Sequence, residues 1–217
     1  ERAQTAAVIA ARRAFELSEA RLREGTVDLT TILTVQNTLF PAPQSHFGGL
    51  RGAGIYEPAG ECGGDWWNYG LIGKYLYIWL GDATGHGAAA ALITSAAKSA
   101  ATVIEELPDM STAAAMEYLN KAIYQTSKGS MMMTFFLAAI DCETGDMSYT
   151  TASHDPPYLF KKKNEPLSRK DLILLQDKID SRLGESAAMS YQQCDLKLEA
   201  GDSIIFYTDG IIAVEDK

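Results

Sequence analysis

Cysteine is scarce in this chain of 217 residues: Cys62, Cys142 and Cys194 stand far apart and form neither a CxxC nor a zinc-ligand pattern. Their spacing excludes a disulfide-stapled scaffold and fits buried thiols in a reducing, cytoplasmic setting. No apolar run approaches the about 20 residues that cross a bilayer, and no signal peptide is visible in these residues. The chain opens inside a helical pattern without Met, which reads as an excerpt of a longer protein and leaves a membrane-anchored parent open. An excess of positive charge is also missing. The formal net charge of −9 argues against nucleic acid or an anionic membrane as the main partner. There is no GxSxG elbow, so a Ser-His-Asp hydrolase is not expected.

What is present divides at Pro41. Residues 1–40 balance five Arg (Arg2, Arg12, Arg13, Arg21, Arg23) against five acids (Glu1, Glu16, Glu19, Glu24, Asp28) and contain no Lys. Beyond Pro41 lies all the excess negative charge, and Lys dominates the basic residues. Residues 2–24 are rich in Ala, Arg, Glu and Leu, with Val8, Ala11, Phe15 and Leu22 on a heptad-like seam that Ser18 interrupts. Gly25 breaks that helix, and a second one is expected to run to Leu39 from a cap at Thr26 or Asp28.

After Pro41, β-prone runs occupy 50–57, 75–81, 132–140, 147–151, 193–198 and 203–208. Two helices are expected at 86–107 and 112–127, the first stopped by Pro108 and the second capped by Ser111. Gly145 and Asp146 mark a hairpin turn. Consecutive helices between runs of strands predict an α+β fold of layered antiparallel sheets flanked by helices.

The chemistry gathers where acids meet glycines at strand ends: Asp65 after Gly63-Gly64, Asp82 in Gly81-Asp82-Ala83-Thr84-Gly85-His86-Gly87, and Asp209 before Gly210. One Asp-Gly step is ordinarily a turn. Three such acids can converge across a sheet on a hard divalent cation, with glycines letting the backbone come close. His86 is read as capping the helix start and orienting this loop rather than as a general acid. His154 with Asp155-Pro156-Pro157 is read as a rigid loop, His46 as a surface residue and Trp66-Trp67 as core.

Those segments, in that order, resemble the PPM superfamily of metal-dependent protein phosphatases in its SpoIIE-like bacterial branch. The matching text is Gln36 to Pro41, YEPAGECGGDWWNY (56–69), GDATGHGAAAAL (81–92), residues 133–160, LG at 183–184 and LEAGDSIIFYTDGI (198–211). The resemblance implies a PPM-like sandwich over 41–217 and two ions, Mn²⁺ or Mg²⁺. Asp82 would bridge them, Asp65 and the Ala83 carbonyl would complete one, and Asp209 would bind the other; the same three acids would be the catalytic residues. It implies hydrolysis of Ser or Thr phosphate on a protein by a metal-bridging hydroxide, in bacterial signalling, with an anti-sigma-factor antagonist as the model substrate. The helix entering the domain would meet a regulatory domain or dimer partner.

The chain departs from the family pattern at Asn68, where an acid is common, at Ser153 in place of the glycine of AGHxPP, and at Ala213, a frequent Glu position. It also stops at Lys217 before the family's closing Asp-Asp strand, so the expected phosphatase domain lacks its C-terminal elements. These departures keep a second reading open, a catalytically inactive scaffold that binds a partner. Residues 5–39 resemble, in addition, the terminal repeat of TolC-type outer-membrane efflux proteins, which makes 1–40 either a helical linker or a fusion segment.

Overall fold

Apolar residues on both faces of the run from Tyr75 to Leu80 call for a strand covered on two sides, and that strand forms the centre of the molecule. The computed structural model describes residues 40–57, 63–107, 110–163, 166 and 168–211. The two helices expected over 2–39, together with Cys62, Pro108 and Ala213, lie outside the described residues.

The strands are β1 (Gln44–Phe47), β2 (Leu50–Ala53), β3 (Asp65–Ile72), β4 (Tyr75–Ala83), β5 (Met133–Asp141), β6 (Asp146–Ala152), β7 (Tyr158–Phe160), β8 (Leu172–Leu174), β9 (Cys194–Lys197) and β10 (Ser203–Ile205). The helices α1 (Ala88–Ile104) and α2 (Thr112–Ser127) follow β4 directly. A five-stranded antiparallel sheet has the order β3-β4-β5-β6-β9, a second sheet the order β10-β7-β8, and β1 and β2 form a hairpin. The α+β fold of antiparallel layers is thus the one the sequence predicts.

Alternation along the strands sends side chains to two cores. On one face Trp66, Trp79, Met133, Phe135 and Leu137 pack with α1 and α2 through Ala90, Ile93, Ala97, Ala101, Met116, Leu119 and Ile123. The alanines of α1 keep its axis close to the sheet. On the other face Leu80, Phe136, Ala138, Ile140, Met147 and Tyr149 meet Leu159 and Leu175, with Ile204 and Phe206 against them. Trp66 is fully buried in the first core, and Trp67 packs partly buried against the second.

Several boundaries differ from the sequence expectation, each for a local reason. No strand was expected at β3, because Asp65, Asn68 and Gly70 are poor strand formers; pairing with β4 along its whole length overrides that preference. β7 and β8, at three residues each, are too short to show a period. The run expected at 50–57 stops at Ala53, where a side chain on Gly54 would come within 2.3 Å of the Trp67 ring. α1 begins at Ala88 rather than 86, since Gly87 is its N-cap with φ 77°. The run expected at 203–208 ends at Ile205.

α2 starts as the sequence indicates: the Ser111 hydroxyl accepts a hydrogen bond from the Ala114 amide at 3.1 Å. Ser111→Ala is expected to cost about 1 kcal/mol of stability, read from the urea midpoint at unchanged slope. The β5–β6 turn is also where expected. Gly145 has φ 78°, and the Asp141 carboxylate accepts from the Glu143 and Thr144 amides at 2.9 and 3.1 Å.

Candidate functional site

Asp65 opens β3 and Asp82 nearly ends β4, and the register sets them directly opposite each other; Asp82 in turn faces Thr134 of β5. Side chains of paired residues share a face. Two residues along from Trp67, Leu80 and Phe136, these three continue the stripe that faces the second sheet. The acid pair therefore sits at one end of the sandwich, between the sheets.

Backbone packing here needs glycine. The Ala83 amide donates to the Gly64 carbonyl at 3.0 Å. A Cβ on Gly64 would lie 2.5 Å from the Ala83 carbonyl oxygen and 3.2 Å from Asp82 Oδ1. The loop after Ala83 is clamped by Thr84, whose amide donates to the Met132 carbonyl at 2.9 Å and whose hydroxyl accepts from the Met132 amide at 3.1 Å. His86 is exposed and does not cap α1. The cap is Gly87, without a side-chain hydrogen bond, which corrects the capping role expected for His86.

Asp209 arrives from the second sheet. It begins a single 3-10 turn, Asp209–Ile211, four residues past the end of β10. The preceding Thr208 hydroxyl donates to Asp65 Oδ2 at 2.8 Å. Tyr207 stacks on Tyr158 with ring centroids 5.4 Å apart.

The electrostatics show how closely these acids lie. Burial raises the Asp82 carboxyl to about 7, and the charges of Asp65 and Asp209, a hydrogen bond to Asp65 and the charge of Asp155 add to it. Burial also raises Asp65, opposed by the Thr208 hydroxyl and by the proton Asp82 donates to it, and assisted by Asp209. Among the described residues the ion pairs are Lys74–Asp141, Lys161–Asp202, Lys163–Asp171 and Lys197–Asp146, and none reaches this group. Nor do any three His, Cys, Asp or Glu side chains among the described residues stand in formed metal-ligand geometry. The carboxylates are instead neighbours, Asp65 and Asp82 facing each other across the β3–β4 pairing.

The structure thus brings Asp65, Asp82, Ala83 and Asp209 to one end of the sandwich. Three further residues stand there: Thr208, which sequence reasoning gave no role, and His154 and Asp155, which it read only as part of a rigid loop. His154 is buried, at 4% exposure. Its Nε2 lies 3.1 Å from the Tyr207 carbonyl and its Nδ1 2.9 Å from the Thr134 hydroxyl. A carbonyl only accepts, so Nε2 carries the proton and Nδ1 accepts from Thr134. Burial lowers its pKa to about 4, and the ring is neutral. Ser153, before it, holds φ 55°, a left-handed conformation that favours glycine, and its hydroxyl donates to the Asp180 carbonyl at 2.8 Å. That backbone requirement fits the glycine that the family resemblance implies at this position.

Hard oxygen donors, mutually repelling and packed at Gly64 on backbone that leaves no room for a Cβ, are the donor set a divalent cation of the Mg²⁺ or Mn²⁺ class prefers. On this measure the residues present fit such an ion.

Comparison with known proteins agrees with this architecture. The phosphoserine phosphatase RsbU of Bacillus subtilis (strain 168) is 28% identical over 182 residues, covering 82% of this chain and 51% of RsbU. The chain therefore spans about half the length of that relative. The crystal structure of the RsbU and RsbW domains of Rv1364c from Mycobacterium tuberculosis is similar at a TM-score of 0.58 and 26% identity, over 73% of this chain and 42% of that one. The SiaA-PP2C domain of Pseudomonas aeruginosa has the same fold, with a TM-score of 0.64 at 18% identity, over 86% of this chain and 71% of its own. The family model for Stage II sporulation protein E matches residues 73–217, well over half of the chain, and the chain belongs to that SpoIIE family.

Proposed function

We propose that this chain is the catalytic portion of a metal-dependent phosphoprotein phosphatase that removes phosphate from Ser or Thr of a bacterial signalling protein. Mn²⁺ or Mg²⁺ would be held by Asp65, Asp82, the Ala83 carbonyl and Asp209. The observation that carries this reading is the pairing of Asp65 with Asp82 across β3–β4 within the field of Asp209, which leaves Asp82 at about 7. A structural ion-pair cluster would set these acids against Lys or Arg, as the remote Lys74–Asp141 and Lys161–Asp202 pairs do.

When bound, such cations lower the pKa of water toward neutrality and offset the charge that builds on phosphoryl oxygens. The chain's own residues present the oxygens and hold them in place. Asp82 and Asp65 face each other across β3–β4, Gly64 lets the Ala83 carbonyl and Asp82 lie close together, and Thr208 orients Asp65. His154 has both ring nitrogens engaged and is not a proton donor to a leaving group.

RsbU carries the name phosphoserine phosphatase, which supports a phosphorylated protein as substrate, with an anti-sigma-factor antagonist as the specific expectation. Residues 41–217 would form the phosphatase unit, and residues 1–40 would link it to a regulatory domain or dimer partner. No described helix is long and apolar enough to cross a membrane, and the site of action proposed is the cytoplasm.

The test is release of phosphate from an aryl phosphate and from a phosphoserine protein, as Mn²⁺ is titrated. Activity saturating in Mn²⁺ and reduced at least about a hundredfold by Asp209→Asn is expected. Equal rates for the chain and the variant at millimolar Mn²⁺ would remove the enzyme reading and leave the partner-binding scaffold.

A further inference from the structure

Asp209 poses a problem of support. It lies beyond the last ladder-paired residue of its strand, Ile205, and starts only a three-residue 3-10 turn. A carboxylate that must meet Asp65 and Asp82 is thus on chain with no strand partner of its own. What holds that chain is a set of side-chain contacts, and His154 supplies the one that also reaches β5. His154 donates from Nε2 to the Tyr207 carbonyl, two residues before Asp209. It accepts at Nδ1 from Thr134, the residue paired with Asp82. Its own amide donates to the Thr151 hydroxyl at 3.3 Å, tying its loop to β6. One ring therefore spans the strand that carries Asp82's partner and the segment that carries Asp209.

We infer that His154 is a positioning residue that clasps residues 207–209 to β5 and so sets Asp209 against Asp65 and Asp82. The inference rests on the functional reading above for its consequence, the binding of the Asp209-side ion, but the clasp itself does not require a metal. Geometry gives each half a role. Thr134 donates to Nδ1 and so keeps the proton on Nε2, the nitrogen that reaches Tyr207. Thr208 adds a second tie, to Asp65, and Tyr158 stacks on Tyr207 from the side. Removal of the imidazole would leave the Tyr207 carbonyl unpaired in a buried place, and the 207–209 segment would swing free on its outer side. Gln at 154 extends an amide donor to about the same reach as Nε2 and would keep the Tyr207 bond.

The experiment has two arms on the full chain. In the first, amide hydrogen exchange is followed in metal-free protein for wild type, His154→Ala, His154→Gln and Thr134→Val. Exchange over residues 207–211 is expected to quicken tenfold or more in His154→Ala, less in Thr134→Val, and to stay within about threefold of wild type in His154→Gln. In the second, Mn²⁺ binding is measured by calorimetry and by the electron paramagnetic resonance of free ion. His154→Ala is expected to weaken the Asp209-side ion about tenfold or more, with His154→Gln restoring most of it.

A folded His154→Ala protein with wild-type exchange over 207–211 would overturn the clasp. So would a Gln variant no better than Ala, which would reduce His154 to core filling. Should His154→Ala fail to fold, the Gln and Thr134→Val pair decides by the same criteria. Wild-type chain that binds no Mn²⁺, with exchange still responding to His154, would sink the metal-dependent reading and leave the clasp standing.

Discussion

Asp82→Asn is expected to abolish phosphate release, by about a thousandfold or more, while making the metal-free chain more stable. The first effect follows from replacing a charged oxygen donor at the centre of the group with a neutral amide. The second follows from linkage. Asp82 has a folded pKa near 7 against an unfolded value of 3.8, chiefly through burial and then through the Asp65 and Asp209 charges. Below about pH 4 both states are protonated and Asp82 adds nothing. Between about 4 and 7 the folded chain retains a proton that the unfolded chain releases, so stability falls as pH rises. Above 7 the full penalty is present. Because Asp82 is partly solvated, roughly 1–2 kcal/mol is the reasonable size after screening, less than the whole shift would give.

Urea unfolding in chelator at pH 5 and pH 8 measures it. Wild type should lose that amount between the two, and Asp82→Asn should lose much less. Added Mn²⁺ should stabilise wild type at pH 8 and leave the variant unmoved. A variant less stable than wild type at pH 8 would show that the acid group is not under electrostatic strain.

Gly184→Ala is expected to have the largest effect on the fold away from the acids, about 3 kcal/mol or more, and to lower the thermal midpoint correspondingly. Gly184 holds φ 83°, where an L side chain is strained. A Cβ there would lie 2.7 Å from Ile123 Cγ2 and 2.9 Å from the Met131 carbonyl, and neither the core of α2 nor the backbone before β5 can yield cheaply. The Gly184 amide also donates to Asn120 Oδ1 at 2.8 Å, and Asn120 Nδ2 donates to the Ser186 carbonyl at 3.0 Å. Leu183 exchanges backbone bonds with Met133 at 3.0 and 2.9 Å, so the shift would reach the start of β5, beside Ala83. Loss of activity beyond the loss of folded protein is therefore expected as well.

The parts of this molecule that were legible in the sequence are those whose cause is local. Asp82 and Asp209 each stand beside glycine at the end of a β-prone run and Asp65 follows Gly63-Gly64, and a glycine next to an acid signals close backbone approach. Ser111 and the Gly145 turn carry their capping and turn chemistry within three or four residues. β3 was not legible, because Asp65, Asn68 and Gly70 oppose a strand and only eight cross-strand partners in β4 impose one. The roles of His154 and Thr208 were hidden for a related reason. His154 meets residues 20 and 53 positions away, and Thr208 meets Asp65 across 143. No window of sequence contains both ends of such a bond. Ser153 was visible as a departure from glycine, but the left-handed backbone that makes it one appears only in the structure.

The measurement that tests the central claim most directly is the anomalous scattering of manganese in crystals of this chain grown with Mn²⁺. The account predicts density at the end of the sandwich between Asp65, Asp82 and Asp209. Crystals with saturating Mn²⁺ and no anomalous density at that place would contradict it.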